Sequence, residues 1–232
     1  MRLAIMQPYF FPYIGYWQLM NAVDKFVIYD DVNYIKGGWI NRNKIIENKE
    51  ENYLTLPLHK SSPYKLINEI NIFEPQKNKE KIYHRICVAY KKAPYYKDVI
   101  YLLKEAILNR EVNLVQYLTN TIKIVNEYLE INTILIVSST LEKDNSKKGQ
   151  EKIIEICRQL KADHYINPIG GTNLYDKKEF EKHGIKLSFL KTEDIIYNQF
   201  DNEFIPNLSI IDVMMFNSKE KITEFLNKYI LI

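Results

Sequence analysis

Net charge, histidine, cysteine and glycine are all in short supply in this chain, and each shortage closes a class of function. With 32 basic against 29 acidic residues the formal charge is only +3. That field is too weak to argue for nucleic acid or an anionic membrane surface, although a small anionic ligand stays open. The four histidines, at 59, 84, 164 and 183, show no metal-ligand spacing, so no metal is expected. Cys87 and Cys157 both fall in helical apolar patterns, where a buried free thiol is the expected state, and that fits a reducing cytoplasm. No apolar run approaches the roughly 18 to 20 residues that cross a bilayer, and Met1-Arg2 leads into a strand rather than a signal-peptide core. The expected protein is soluble and cytoplasmic. A Walker-type phosphate loop is absent. Of only 7 glycines, four form the pairs Gly37-Gly38 and Gly170-Gly171, where backbone is either bent and uncovered for a ligand or merely turned tightly.

What is present is concentrated at the start. The apolar run Leu3 to Met6 is too short for a helix and is cut by Gln7-Pro8, so it reads as a buried strand. Ile14, Trp17, Leu19, Met20 and Val23 have helical spacing, and Phe26 to Tyr29 reads as a second strand. In a β-α-β unit of this kind the strands are parallel, and the loops at their carboxyl ends face the ligand crevice. Those loops carry Gln7, Tyr9, Tyr13 and Tyr16 on one side and Asp30, Asp31, Asn33 and Tyr34 on the other. Asp30 and Asp31, as neighbours on an extended chain, should point to opposite faces, with Asp30 toward the crevice and Tyr29 turned away with Asp31.

The next segment, Tyr34 to Lys44, mixes Lys36, Arg42 and Lys44 with Trp39, Asn41 and Asn43. Such a mixture can hold a phosphate or carboxylate while the ring stacks on a flat or sugar-like group; a solvated hairpin anchored by Trp39 is the plainer reading. Asn52 to Leu58 alternates like a strand that Pro57 ends or places at an edge, and His59 is expected in the loop beyond. From residue 77 to 131 the apolar pattern is helical in three stretches, broken at KKAPYY, and reads as a helical layer inserted in one domain spanning 1–232. Thr133 to Val137 reads as a fully buried strand. A polar loop with Ser146 as candidate N-cap leads to a helix over 151–160, and Lys148 near its N-terminus marks a candidate phosphate position. The segment Asp163 to Gly171, containing Asn167, reads as a strand ending in a double-glycine turn able to form an anion nest. Another strand over 185–190 and a closing helix from Ser218 complete an α/β pattern with a mainly parallel sheet.

The stretches QPYFFPYIGYWQL, YDDVNYIKGGWINRNKI, YKKAPYY, SKKGQEKIIEIC, YINPIGGTNLYD and FIPNLSIIDVMMFN, in this order and over essentially the whole chain, resemble the WbqC-like protein family. The resemblance implies a bacterial cytoplasmic protein encoded among genes for O-antigen, capsule or other surface glycans, in pathways where some amino sugars carry an aminoacyl group such as glycine. Gly37-Gly38 departs from the expected pattern, which has a basic residue beside or in place of the first glycine, and so alters a phosphate contact. More distantly, the strand, aromatic-proline loop and PYIGYWQL helix resemble nucleotidylyl transferases, which implies a Rossmann-like fold. The paired histidines of that loop are replaced here by tyrosines, so nucleotidyl transfer by a histidine pair is not expected.

Two functions follow as expectations. In one, an acyl or aminoacyl transferase acts on a nucleotide-linked amino sugar: Asp30 or Asp31 takes the amine proton, and N–H donors stabilise the oxyanion. Arg42, Lys44 and Lys148 would grip the diphosphate, with Gln7, Tyr9, Tyr13, Tyr16, Asn33, Tyr34, Trp39, Asn41, Asn167, Gly170 and Gly171 around the sugar and base. No cofactor is identified; an activated acyl donor, a thioester or an ATP-derived species, and an acyl carrier protein are the partners this would bring. In the other, the same cleft belongs to a non-catalytic sugar-nucleotide-binding or scaffold protein of a glycan-assembly complex.

Overall fold

A computed structural model describes residues 1–144, 146–200 and 203–232. Strand β1 (Arg2–Met6), helix α1 (Ile14–Asn21) and strand β2 (Lys25–Ile28) form the opening unit. Two small antiparallel pairs follow: β3 (Arg42–Glu47) with β4 (Glu50–Thr55), and β5 (Leu58–His59) with β6 (Asn71–Ile72). Helices α2 (Pro75–Tyr90), α3 (Tyr96–Ile107) and α4 (Leu114–Tyr128) make the helical layer. The α/β pattern resumes with β7 (Ile134–Val137), α5 (Gly149–Gln159), β8 (His164–Pro168), α6 (Lys177–Lys182) and β9 (Lys186–Thr192). The chain closes with α7 (Ile210–Phe216), α8 (Lys219–Leu226) and β10 (Tyr229–Leu231).

The main sheet has the order β10-β9-β8-β1-β2-β7. All pairings in it are parallel except β9 with β10, which is antiparallel. Alternation along the strands explains both layers. Leu3, Ile5 and Val27 point to one face, where Ile153, Ile156, Cys157 and Phe180 of α5 and α6 cover them. Ala4, Phe26 and Ile28 point to the other, under α1 and the helical layer. Strands buried on both faces need apolar residues at every position, which is why β1 and β2 read as unbroken runs. Cys157, 0% exposed, has its thiol pushed up to about 12 by burial and stays a neutral core group.

Several expectations need correction. The β7 run is not fully buried: it is the edge strand, and Ile134 is 58% exposed. A β-branched run reads the same at an edge as at the centre of a sheet. His59 lies in β5 rather than a loop, its ring 6.3 Å from that of Phe73. Helix α5 starts at Gly149 with Lys148 as its N-cap residue, while the Ser146 hydroxyl donates to Asp144 instead. The Gly170-Gly171 pair forms a 3-10 turn without positive φ, so it is not the alternating-handed nest expected of a double glycine. Gly171 is needed for another reason: a Cβ there would lie 2.0 Å from Asn167 Oδ1. Helix α7 and strand β10 went unseen in the sequence. At the KKAPYY joint, Tyr95 and Tyr96 pack against the core, and the Tyr95 N–H donates to the Met215 carbonyl at 3.1 Å.

Asp212, 0% exposed at the start of α7, ties distant segments together. Tyr197 and Gln199 donate to its Oδ1 at 2.7 Å each, Tyr90 donates to its Oδ2 at 2.9 Å, and the Ile46 N–H donates to the Tyr90 hydroxyl at 3.1 Å. Burial outweighs these donors and raises its pKa from 3.8 to about 6. The folded state therefore holds this proton more tightly than the unfolded chain. Its contribution to stability is full at low pH and is lost as pH rises from about 4 through 6, a change on the order of 3 kcal/mol. Denaturant melts from pH 4 to 7 are expected to show that slope, and Asp212→Asn to flatten it; equal slopes in both would sink the assignment.

Candidate functional site

The chain leaves β1 toward β2 and β7 and later returns to β8 on the other side of β1, so the connections part at the carboxyl end of β1. Beside it, β2 ends at Ile28 and hands on Tyr29, Asp30 and Asp31. The Tyr29 N–H donates to the Met6 carbonyl at 2.8 Å, which keeps this segment extended past the strand. The two carboxylates consequently diverge, as an extended chain requires.

Asp30 is 1% exposed and turns toward the helical layer. Its Oδ1 accepts the Ser139 N–H at 2.8 Å, and its Oδ2 accepts the Ser139 hydroxyl at 2.6 Å and the Asn68 amide at 3.3 Å. Ser139 itself is exposed. It sits in the 3-10 turn Ser138–Thr140 that follows β7, so its hydroxyl stands between a buried carboxylate and open space. That space is a cleft of about 500 Å³. Asn68, Asn113, Gln116, Asn120 and Lys123 line it together with Asp30 and Ser139. The Thr119 hydroxyl, on the same cleft wall, is buried without a hydrogen-bond partner among the described residues. The Asn113 side chain is already engaged, capping α4 through the Val115 and Gln116 N–H groups and donating to the Asn68 carbonyl. The cleft is thus a polar, amide-rich pocket in the volume range of small-molecule sites, roughly 300 to 1,000 Å³.

Asp31 turns the other way, with Tyr29. Lys143 and Lys152 each place Nζ 3.0 Å from its Oδ2, and the three side chains are 10%, 1% and 8% exposed respectively. Lys152 also stands 5.4 Å from the Tyr29 ring centroid. Burial pushes the Asp31 carboxyl up, but the neighbouring Ser138 hydroxyl and the Lys143 and Lys152 ammonium groups outweigh it and hold the group below its ordinary value. A carboxylate so held is a poor base. Two ammonium groups share the Asp31 carboxylate on one side of the Ser138–Thr140 turn while the Asp30 carboxylate holds the other, so the four charges balance there; Lys143 reaches that turn through the Ser138 carbonyl.

The remaining expected residues divide. Tyr9, Tyr13 and Trp39 come together with Pro12, Asn43 and Asn207 around a second cleft of about 300 Å³. Gln7 follows directly on β1, and its carbonyl accepts the buried Tyr16 hydroxyl at 3.1 Å. Asn33, Tyr34 and Asn41 brace loops: Asn33 donates to the Pro63 carbonyl, Tyr34 to Asn41 Oδ1 at 2.8 Å, and Asn41 to the Leu56 carbonyl at 2.9 Å. Arg42 is spent on the Gly37 and Gly38 carbonyls and lies 4.3 Å over the Tyr53 ring, while Lys44 pairs with Glu51 at 2.6 Å. Asn167 donates to the Tyr165 hydroxyl at 2.7 Å beside Gly171. Lys148 is exposed, and neither it nor Gly170 lines the two clefts.

Sequence reasoning missed Lys143, Lys152, Ser139 and the polar wall of α4. Gln116, Asn120 and Lys123 recur at i, i+4 and i+7, opposite the apolar stripe of Leu114, Leu118, Ile122 and Val125, so the stripe was visible. It carried no signal to separate a cleft wall from a solvated face. Among the described residues no group of three or more His, Cys, Asp or Glu could hold a metal, and no helix is long and apolar enough to cross a membrane.

A model of the WbqC-like protein family matches residues 7–224. The chain belongs to that family. This WbqC-like chain is also 24% identical over 227 residues to the uncharacterized protein Rv1507c of Mycobacterium tuberculosis (strain ATCC 25618 / H37Rv), a match covering 97% of each chain. No solved structure matches.

Proposed function

We propose that this WbqC-like protein is a transferase of bacterial surface-glycan assembly that places an acyl or aminoacyl group on the amine of a nucleotide-linked amino sugar, with the sugar seated in the polar cleft above Asp30. The observation that carries the proposal is the Ser139 hydroxyl, 2.6 Å from a buried carboxylate and open to an amide-lined pocket. Family membership supports the glycan context, and the cleft lies past the carboxyl ends of β2 and β7, the end of a parallel sheet at which α/β folds hold ligands. Amide and hydroxyl side chains match a sugar's ring hydroxyls, each able both to donate and to accept.

The reaction balances without a cofactor of the protein's own. The amine nitrogen attacks the carbonyl carbon of an activated acyl donor, the C–N bond forms, and the bond to the donor's sulfur or phosphate oxygen breaks with its electron pair leaving on that atom. The surplus ammonium proton passes to the Ser139 oxygen as the Ser139 proton passes to Asp30, which makes Asp30 a general base acting through a hydroxyl.

If the sugar sits here, Gln116→Ala and Lys123→Ala should each weaken acceptor binding by about five- to ten-fold, the scale of one lost hydrogen bond, with little change in Tm. Calorimetry on both variants decides: unchanged affinity for every nucleotide-linked amino sugar that the unmodified protein binds takes the acceptor out of this cleft.

A further inference from the structure

The aromatic cleft is built separately from the polar one, and its chemistry is different. Its lining of Tyr9, Pro12, Tyr13, Trp39, Asn43 and Asn207 contains no charged side chain. The loop that carries Tyr9 and Tyr13 is held in place from several sides. Phe11 sits at φ 42, a left-handed conformation uncommon for a bulky residue. Asn43 donates to the Phe10 and Phe11 carbonyls, Ser209 donates to the Phe11 carbonyl at 2.8 Å, and the Trp17 indole and Ile210 N–H donate to the Pro12 carbonyl at 3.0 Å each. The Phe10 N–H bonds the Trp39 carbonyl at 3.0 Å, which fixes the opposite wall to the same loop. Strain that the surroundings over-determine in this way is characteristic of a pre-organised binding surface.

Two further details concern the rings. Gly15 has no side chain where a Cβ would lie 2.5 to 2.6 Å from the Tyr13 ring, so the first turn of α1 gives that ring a flat seat. Burial raises the pKa of Tyr9 and of Tyr13, so both remain neutral phenols at physiological pH. Neither hydroxyl hydrogen-bonds to the protein among the described residues, which leaves two unused donors on residues that line the cleft.

We infer that this cleft binds a nucleobase, its face stacked on the tyrosine and tryptophan rings and its edge met by the Tyr9 and Tyr13 hydroxyls and Asn207. A base has two flat apolar faces and polar atoms only at its edge, which matches rings with a few neutral polar groups. A pyranose carries polar groups around its whole rim and fits the amide-rich cleft better. The inference deepens the proposed function by naming a recognised part of the nucleotide-linked substrate, yet it can be tested without any transfer chemistry.

Of the two tryptophans, Trp17 is 0% exposed and Trp39 is 40% exposed, so quenching of intrinsic fluorescence reports on the cleft. Titration with uridine, cytidine, thymidine, adenosine and guanosine is expected to give saturable quenching by at least one of them. Tyr13→Ala should weaken that binding about ten-fold, the scale of one lost base–aromatic stack, and Gly15→Ala, which leaves every lining residue in place but displaces the Tyr13 ring, should do the same. Circular dichroism checks that both variants are folded, and Tyr13→Phe, which keeps the ring, supplies a second measure by losing less affinity than Tyr13→Ala. Absence of saturable quenching by all five nucleosides, quenching by methyl hexosides instead, or equal affinity in unmodified protein and folded Tyr13→Ala would overturn the inference. Nucleoside binding without any acyl transfer would leave it standing and count against the transferase alone. Acyl transfer whose KM is unmoved by Tyr13→Ala would do the reverse.

Discussion

Asp30→Asn is expected to lower turnover by about 10²-fold or more, the scale of a lost general base, while acceptor affinity changes little. The substitution keeps the shape of the side chain, and the new amide oxygen can still accept the Ser139 N–H that Asp30 accepts at 2.8 Å. What it loses is proton affinity at the oxygen facing the Ser139 hydroxyl. The Asn68 amide, 3.3 Å away, can rotate to offer its oxygen, so the stability cost is about 1 kcal/mol. Ser139→Ala should lower turnover by a comparable factor, because it removes the hydroxyl through which a carboxylate only 1% exposed reaches the cleft. If Asp30 serves only to brace the turn after β7, the same two variants lose melting temperature and keep full turnover per folded molecule. Measuring both quantities on both variants separates the roles, and that second pattern moves the non-catalytic binding protein ahead.

Asp31→Ala is expected to act on stability instead. It strands Lys143 and Lys152, whose side chains are 1% and 8% exposed, as two buried ammonium groups without a counter-charge. Removing one partner of a buried ion pair costs about 3 to 5 kcal/mol, which for a chain of this size lowers Tm by roughly 10 °C. The loss should shrink in the triple variant Asp31→Leu, Lys143→Met, Lys152→Met, in which no charge is stranded. The pH dependence has a definite sign. Because the folded state holds the Asp31 carboxyl below 3.8, its contribution is fully present above that value and is lost as pH falls from there through the lower folded-state value. Thermal melts of both variants at pH 7 and pH 3 check the account; an unchanged Tm for Asp31→Ala at pH 7 would contradict it.

The parts of this architecture legible in the sequence were those where one residue pattern has one physical solution. Leu3 to Met6 and Phe26 to Tyr29, joined by a short helix, could hardly be anything but neighbouring parallel strands. The divergence of Asp30 and Asp31 followed from the two-residue period of extended chain alone. What stayed hidden depends on which segments meet. The pairing of Asp30 with Ser139 joins residues 109 apart in sequence, and that of Lys152 with Asp31 joins residues 121 apart. No local pattern records either. The expected phosphate grip of Arg42 and Lys44 was drawn from residue type, which is silent on whether a cation is already taken; in the structure the carbonyls of Gly37 and Gly38 and the carboxylate of Glu51 take them. Strand β10 was missed because three residues ending a chain carry too little periodicity to declare themselves.

The most direct measurement is the transfer reaction itself. Purified protein is incubated with a panel of nucleotide-linked amino sugars and with thioester and acyl-phosphate donors of simple acyl and aminoacyl groups, and the sugar nucleotides are then weighed by mass spectrometry. The account predicts that one acceptor gains the mass of a single acyl group at its amine, that the hydroxyl analogue lacking that amine gains nothing, and that Asp30→Asn suppresses the gain at least 10²-fold. Saturable binding of a sugar nucleotide with no mass gain from any donor, or a gain that Asp30→Asn and Ser139→Ala leave untouched, would contradict it.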